Sequence, residues 1–204
     1  MSGYPVVLDG EAIAALVVGG GRVAARKVRA LLGAGAHVRV VAPTVRESLR
    51  ELARATSRCT LIERGYQSGD LADATLVFAA TDKPEVNAGV ARDARQSGIL
   101  VNVADDGSLG DFVTPAAHER GGLLIAVTAG GVPGAAARIR DAVAERFDER
   151  YADALARLGE LRSTLLGSGD REGWRRAAAA LLDDDFCARV ESGALNEELA
   201  AWRC

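Results

Sequence analysis

Apolar residues in the first half of the chain fall in short runs, and between the runs they recur every three or four positions. The runs at Ala12–Val18, His37–Ala42, Cys59–Glu63, Thr75–Ala80 and Ile99–Ala104 predict strands. The periodic stretches at Val23–Leu32, Val45–Ala55 and Glu85–Gln96 predict helices. Strand and helix alternating at this spacing predict an α/β fold, a parallel, doubly wound, Rossmann-like sheet. Punctuation agrees with the pattern. Gly33 and Gly35 close the first helix, and Gly98 closes the third. Thr81 or Asp82 is expected to cap the third helix, with Pro84 in its first turn.

After Asp111 the pattern changes. A short strand is expected near Phe112–Thr114, a second at Leu123–Thr128, and a helix from about Pro133 to Phe147. Beyond Asp148 the chain reads as helical, at Arg150–Leu166, Glu172–Leu181, Phe186–Glu191 and Asn196–Trp202. The stretch Gly167–Gly173 is a turn, and the acidic run Asp183–Asp185 reads as a solvated helix junction. The expected division is a Rossmann domain over 1–112, a small α+β segment over 113–147 and a helical domain over 148–204.

Composition narrows the function. A net charge of -3 disfavours a general nucleic-acid role, which needs a basic excess. Cys59, Cys187 and Cys204 are widely spaced and form no CxxC pair. That pattern fits reduced thiols rather than a disulfide framework or a zinc site. With only His37 and His118, no resident metal site rich in histidine is expected. No apolar run reaches membrane-spanning length, and the N-terminus lacks the basic start and apolar core of a signal peptide. A soluble, cytoplasmic protein without a membrane partner is therefore expected.

Gly19, Gly21 and Ala24 form a G-x-G-x-x-A turn between the first strand and the first helix. Gly19 permits the tight turn, Gly21 lets backbone approach a pyrophosphate, and Ala24 lets the helix lie against the strand. The helix N-terminus adds free N–H groups and a partial positive charge. The alternative is a tight turn without a ligand. Such turns usually have an acid after the second strand to hold the ribose. Here that strand ends Val41-Ala42-Pro43-Thr44, leaving backbone and the Thr44 hydroxyl for the task. Arg22, Arg39 and Arg46 are close in sequence, and an arginine here is chemically able to take a 2′-phosphate.

A second group follows the fourth and fifth strands. Ala79 and Ala80 leave space, and Thr81 either reaches the cofactor or caps the helix. Asn102, Asp105 and Asp106 fall around the same crevice, where doubly wound sheets bind their ligands. Adjacent acids in a loop are otherwise turn formers.

The stretches "YPVVLDGEAIAALVVGGGRVAARK", "FAATDKPEVN", "VNVADDGSLGDFVTPA" and "GGLLIAVTAGG" occur in this order over about 150 residues. This ordered set resembles the precorrin-2 dehydrogenase family, the dehydrogenase/ferrochelatase module of siroheme synthase. That family also lacks the ribose acid. The resemblance implies NAD-dependent oxidation of precorrin-2 to sirohydrochlorin, and in many members insertion of Fe²⁺. It carries cofactor contacts onto Gly21, Arg22, Val23, Pro43, Thr44 and Thr81, and the key acid onto Asp105. It also implies a homodimer formed through the middle segment.

A carboxylate such as Asp105 suits the chemistry, because both oxidation and metal insertion release protons. Asn102, Thr128, Arg120 and Arg138 are candidate substrate contacts, with Arg140 nearby. Arginine pairs well with the substrate's carboxylates. His118 is a candidate for proton transfer near neutral pH. Where the family carries serines, this chain has Ala129 and the step Pro133-Gly134, so Thr128 is the remaining hydroxyl. No methyltransferase region follows, which implies the stand-alone module. The competing readings are a nucleotide-sensing regulatory module and a non-catalytic Rossmann paralogue.

Overall fold

The computed structural model describes residues 3–202, so Cys204 lies outside the described residues. The chain divides into two compact units between Thr114 and Pro115.

In the first unit, β1 (Ala14–Val18), β2 (His37–Val41), β3 (Cys59–Ile62), β4 (Leu76–Ala79) and β5 (Leu100–Val103) form one parallel sheet in the order β3-β2-β1-β4-β5. The central strand is apolar throughout because both of its faces are covered. Ala15 and Val17 pack with Ala24, Ala25 and Val28 of α1 (Arg22–Gly33) and Leu49 of α2 (Glu47–Ala55). Leu16 and Val18 face the other way, onto Val90, Ala91 and Ala94 of α3 (Pro84–Gln96). Each valine or leucine among them contributes about 1.5–3 kcal/mol by leaving water, and each alanine methyl about 0.8 kcal/mol.

The parallel register sets Val18 beside both Val41 and Ala79, and Ala79 beside Val103. Four strands therefore end at one level. The residues that follow, Gly19, Ala42, Ala80 and Ala104, leave the sheet along a single edge.

The second unit begins with a hairpin, β6 (Ala116–Arg120) and β7 (Leu123–Val127), followed by α4 (Pro133–Arg146). Helices α5 (Glu149–Gly167), α6 (Arg171–Leu181), α7 (Phe186–Ser192) and α8 (Ala194–Ala201) then bury a core around Tyr151, Leu158, Leu181 and Leu195. Leu123 and Phe147 pack against that core. Asp148 and Asp170 cap α5 and α6, accepting backbone N–H bonds from Arg150 and Gly173. Asp183 in the acidic run bonds the Asp185 N–H and pairs with Arg189 at 2.5 Å.

Two sequence expectations differ from the structure. The strand expected at Phe112–Thr114 is irregular, and β6 starts after Pro115. The Phe112 carbonyl is taken by the Asn102 amide at 2.8 Å, and proline lacks the N–H that a ladder needs. The N-cap of α3 is Lys83, without a side-chain cap bond, rather than Thr81 or Asp82. The Thr81 hydroxyl accepts the Lys83 N–H at 3.2 Å, but Lys83 precedes the helix, which starts at Pro84, so this bond closes the turn before α3 rather than capping it.

Candidate cofactor and active site

The turn after β1 is held from two sides. Gly19 has φ 130°, and a Cβ there would run into the Ala80 carbonyl after β4. A Cβ on Gly20 would run into the Thr44 carbonyl, and the Arg46 N–H donates to the Gly20 carbonyl at 3.0 Å. Gly21 differs, since a Cβ there meets nothing within 4 Å. It is the N-cap of α1, with no side-chain cap bond and no acid in the first turn. The leading N–H groups of α1 therefore start beside an open, exposed stretch of backbone, which suits a pyrophosphate. Arg22 and Val23 open the helix, and Pro43 and Thr44 form an exposed ledge beside the turn.

Beside this ledge is a recess of about 510 Å³, lined by the four arginines Arg22, Arg26, Arg29 and Arg46 together with Val23, Ala25 and Ser48. None of these four guanidinium groups makes a hydrogen bond or ion pair among the described residues. Arg39 is not part of this group. Its guanidinium donates to the carbonyls of Asp70 and Ala72 at 2.7 and 2.6 Å, which removes it from the candidates for a 2′-phosphate. A smaller recess, of about 280 Å³, lies by the opposite ends of β1 and β2 and has no glycine turn.

The other half of the edge carries Thr81 and Asp105. Asp105 is exposed, and its Oδ1 accepts from Asn87 Nδ2 at 2.9 Å. Asp106 is the turn-former. It accepts from the N–H and hydroxyl of Ser108 at 2.9 and 2.6 Å, and the Ser108 hydroxyl holds its carboxyl below the usual carboxylate range. The segment then doubles back along β5. The Asp111 N–H donates to the Val101 carbonyl at 2.8 Å, and Asp111 Oδ2 accepts the Val101 N–H at 3.0 Å. Asn102 is 6% exposed and binds the Phe112 carbonyl. Its amide therefore fastens this loop and does not point to a substrate.

Phe112 meets Phe78 edge-on at 5.4 Å, and Lys27 lies over the Phe78 ring at 5.5 Å. Lys27 also donates to the Thr114 hydroxyl. Burial, helped by the charge of Arg26, lowers its amine to about 8.

The remaining sequence candidates belong to the second unit. His118 on β6 is 8% exposed, and its Nε2 lies 2.6 Å from the Phe147 carbonyl. A carbonyl can only accept, so Nε2 carries the proton and is spent on a backbone bond. Arg120 pairs with Glu149 at 3.1 Å and Arg140 with Asp141 at 2.6 Å. Arg138 and Thr128 are exposed. Among the described residues no group of three or more His, Cys, Asp or Glu is placed to hold a metal ion. No described helix is long and apolar enough to cross a membrane.

Sequence reasoning missed Asn87. Its signal was present: Asn87, Val90, Ala91 and Ala94 are the buried residues of α3, at helical spacing. A polar residue on that stripe needs partners, and these are the strand ends.

A parallel sheet with an open glycine turn at its carboxyl edge defines a dinucleotide-binding protein. The family described as "Putative NAD(P)-binding" matches residues 6–116, and the chain belongs to it. The siroheme synthase of Ectopseudomonas mendocina is 44% identical over 145 residues, covering 71% of this chain and 31% of that protein. That of Pseudoalteromonas atlantica is 42% identical over 132 residues, covering 65% and 28%. The chain thus spans about a third of the length of these relatives. Among solved structures, "SirC, precorrin-2 dehydrogenase" superposes with a TM-score of 0.74 at 27% identity, covering 97% of this chain and 99% of that one.

Proposed function

We propose that this chain oxidises precorrin-2 to sirohydrochlorin with NAD, in the synthesis of siroheme. The observation that carries the reading is one sheet edge with two halves. On one half an uncapped helix start stands at Gly21; on the other an exposed carboxylate, Asp105, is oriented by a buried amide. The full-length likeness to a precorrin-2 dehydrogenase supports it.

The nicotinamide, when bound, accepts the hydride that the macrocycle loses. The chain does the rest. Gly19 shapes the turn, and Gly21, Arg22 and Val23 present N–H groups to the pyrophosphate. Pro43 and Thr44 take the place of the missing acid at the ribose, and Thr81 borders the nicotinamide side. Asp105 accepts the proton that leaves the macrocycle with the hydride, as a general base. The exposed Arg138 and Thr128 are the proposed contacts for substrate carboxylates, with Arg120 available on breaking its solvated pair with Glu149. No proton transfer is assigned to His118, and no substrate contact to Asn102.

The test is one incubation of the folded chain with precorrin-2 and NAD, read by absorbance. Sirohydrochlorin should form. Failure with both NAD and NADP sinks the proposal. Replacing Asp105 with Ala should lower turnover on the order of 100-fold, with cofactor affinity changed less than about twofold. Fe²⁺ enters as a second substrate in a parallel arm, where siroheme reports insertion.

The unpaired arginine recess favours a second reading of the cofactor, in which Arg22 and Arg46 accept the 2′-phosphate of NADP. Titrating both nucleotides separates the two. We also propose a homodimer formed through the second unit, supported by the exposed apolar side chains Leu124, Val132 and Ile139.

A further inference from the structure

Asn87 is 1% exposed and sits in the first turn of α3, against the two strand ends that carry Thr81 and Asp105. A primary amide offers two acceptor sites and two N–H donors. All four are used here. Oδ1 accepts from the Thr81 backbone N–H at 3.1 Å and from the Thr81 hydroxyl at 2.7 Å. Nδ2 donates to the Thr81 carbonyl at 3.2 Å and to Asp105 Oδ1 at 2.9 Å.

The amide has a single workable orientation. Rotated by half a turn, its NH₂ would face the Thr81 N–H, and its oxygen would face a carbonyl and a carboxylate. Three of the four bonds clamp the amide to Thr81, on the strand end that borders the cofactor. The fourth is the only hydrogen bond to the Asp105 side chain among the described residues, and it leaves Oδ2 free. The donor is neutral, so it aims the carboxylate without setting a fixed positive charge against it. A charged partner would compete for the oxygen that must take a proton.

We infer that Asn87 is the positioning residue of the active site: it fixes Asp105 to Thr81 so that Oδ2 is presented to the substrate beside the cofactor. This rests on the role of Asp105 proposed above. Thr81 then serves as the reference point of the carboxylate as well as a wall of the cofactor site. A shift of Thr81 on cofactor binding passes through one rigid amide to the base.

The test compares N87D, N87A and D105N in the full chain. N87D keeps the shape of the side chain but places an acceptor where the donor to Asp105 was. Turnover should fall at least about tenfold, with the KM for cofactor changed less than about twofold. The acidic limb of the kcat–pH profile should move up by about one unit, because two carboxylates then share one site. Asp82 and Lys83 at the start of α3, and Asp106 beside Asp105, are the other charged groups near it in sequence and stay constant throughout.

A limb and turnover matching wild type in N87D, while D105N is slow, overturn the inference and leave the Asp105 reading standing. Full turnover in D105N overturns that reading itself. Should both Asn87 variants fail to fold, the side-chain amide resonances of Asn87 in the otherwise intact chain decide it. D105N should shift them, and unmoved resonances overturn the inference.

Discussion

Gly19 and Gly21 look alike in the motif and do different work. At Gly19 the backbone has φ 130° and the Ala80 carbonyl blocks any side chain, so Gly19→Ala should cost stability, about 2 kcal/mol or more. Gly21 has room and an ordinary φ of -86°. Gly21→Ala should therefore fold normally and lose cofactor affinity by at least about tenfold, since the added methyl stands where the pyrophosphate must approach. Thermal melts and nucleotide titration of the two variants check the pair. A Gly21→Ala chain with wild-type affinity would remove the turn from the binding site. Sequence spacing already separated these roles. It did not separate Asn102 from Asn87, because both are single asparagines among apolar neighbours. The Phe112 carbonyl lies 10 residues from Asn102 and Asp105 lies 18 from Asn87, and only the folded chain shows which asparagine reaches the carboxylate.

At the scale of elements, the five strands of the sheet were legible because each is a short run dominated by apolar residues between polar punctuation. The first strand of the second unit was not, because Phe112 is apolar for a different reason: it packs on Phe78 and closes the edge of the first unit. Lys27 belongs to the same cluster and ties α1 to Thr114. Its amine titrates near 8 in the folded chain, against an ordinary 10.5. Between these values the unfolded chain holds more protons, so stability from this group rises with pH across that window. Below about 8 both states are charged and the group adds no slope. Denaturation of wild type and Lys27→Met should therefore diverge in favour of wild type between about pH 8 and pH 10. A constant difference would contradict the burial of the amine. With only Lys27 and Lys83 in the chain, acylation mapping at pH 8 offers a second reading of the same amine.

For the molecule as a whole, the change from alternating strands and helices to a short α+β segment and then to helices alone predicts three parts, over 1–112, 113–147 and 148–204, and the chain divides into two compact units between Thr114 and Pro115. The assembly was less legible, since an exposed leucine on a hairpin reads the same in a monomer and in an interface. If the second unit pairs with a second copy, sedimentation should report two chains. Leu124→Asp with Ile139→Asp should return one chain, with secondary structure unchanged. A wild-type monomer at micromolar concentration would remove the homodimer proposal.

Gly20 is the position that dinucleotide motifs leave unspecified, yet here the Thr44 carbonyl rests on it and its own carbonyl holds the Arg46 N–H. The loop after β2 and the glycine turn thus form one mechanical part. Cofactor preference in this scaffold is therefore not a modular trait. A designer who grafts an aspartate at position 43 or 44 must rebuild the turn beneath it, and the two loops are inherited, or exchanged, only together.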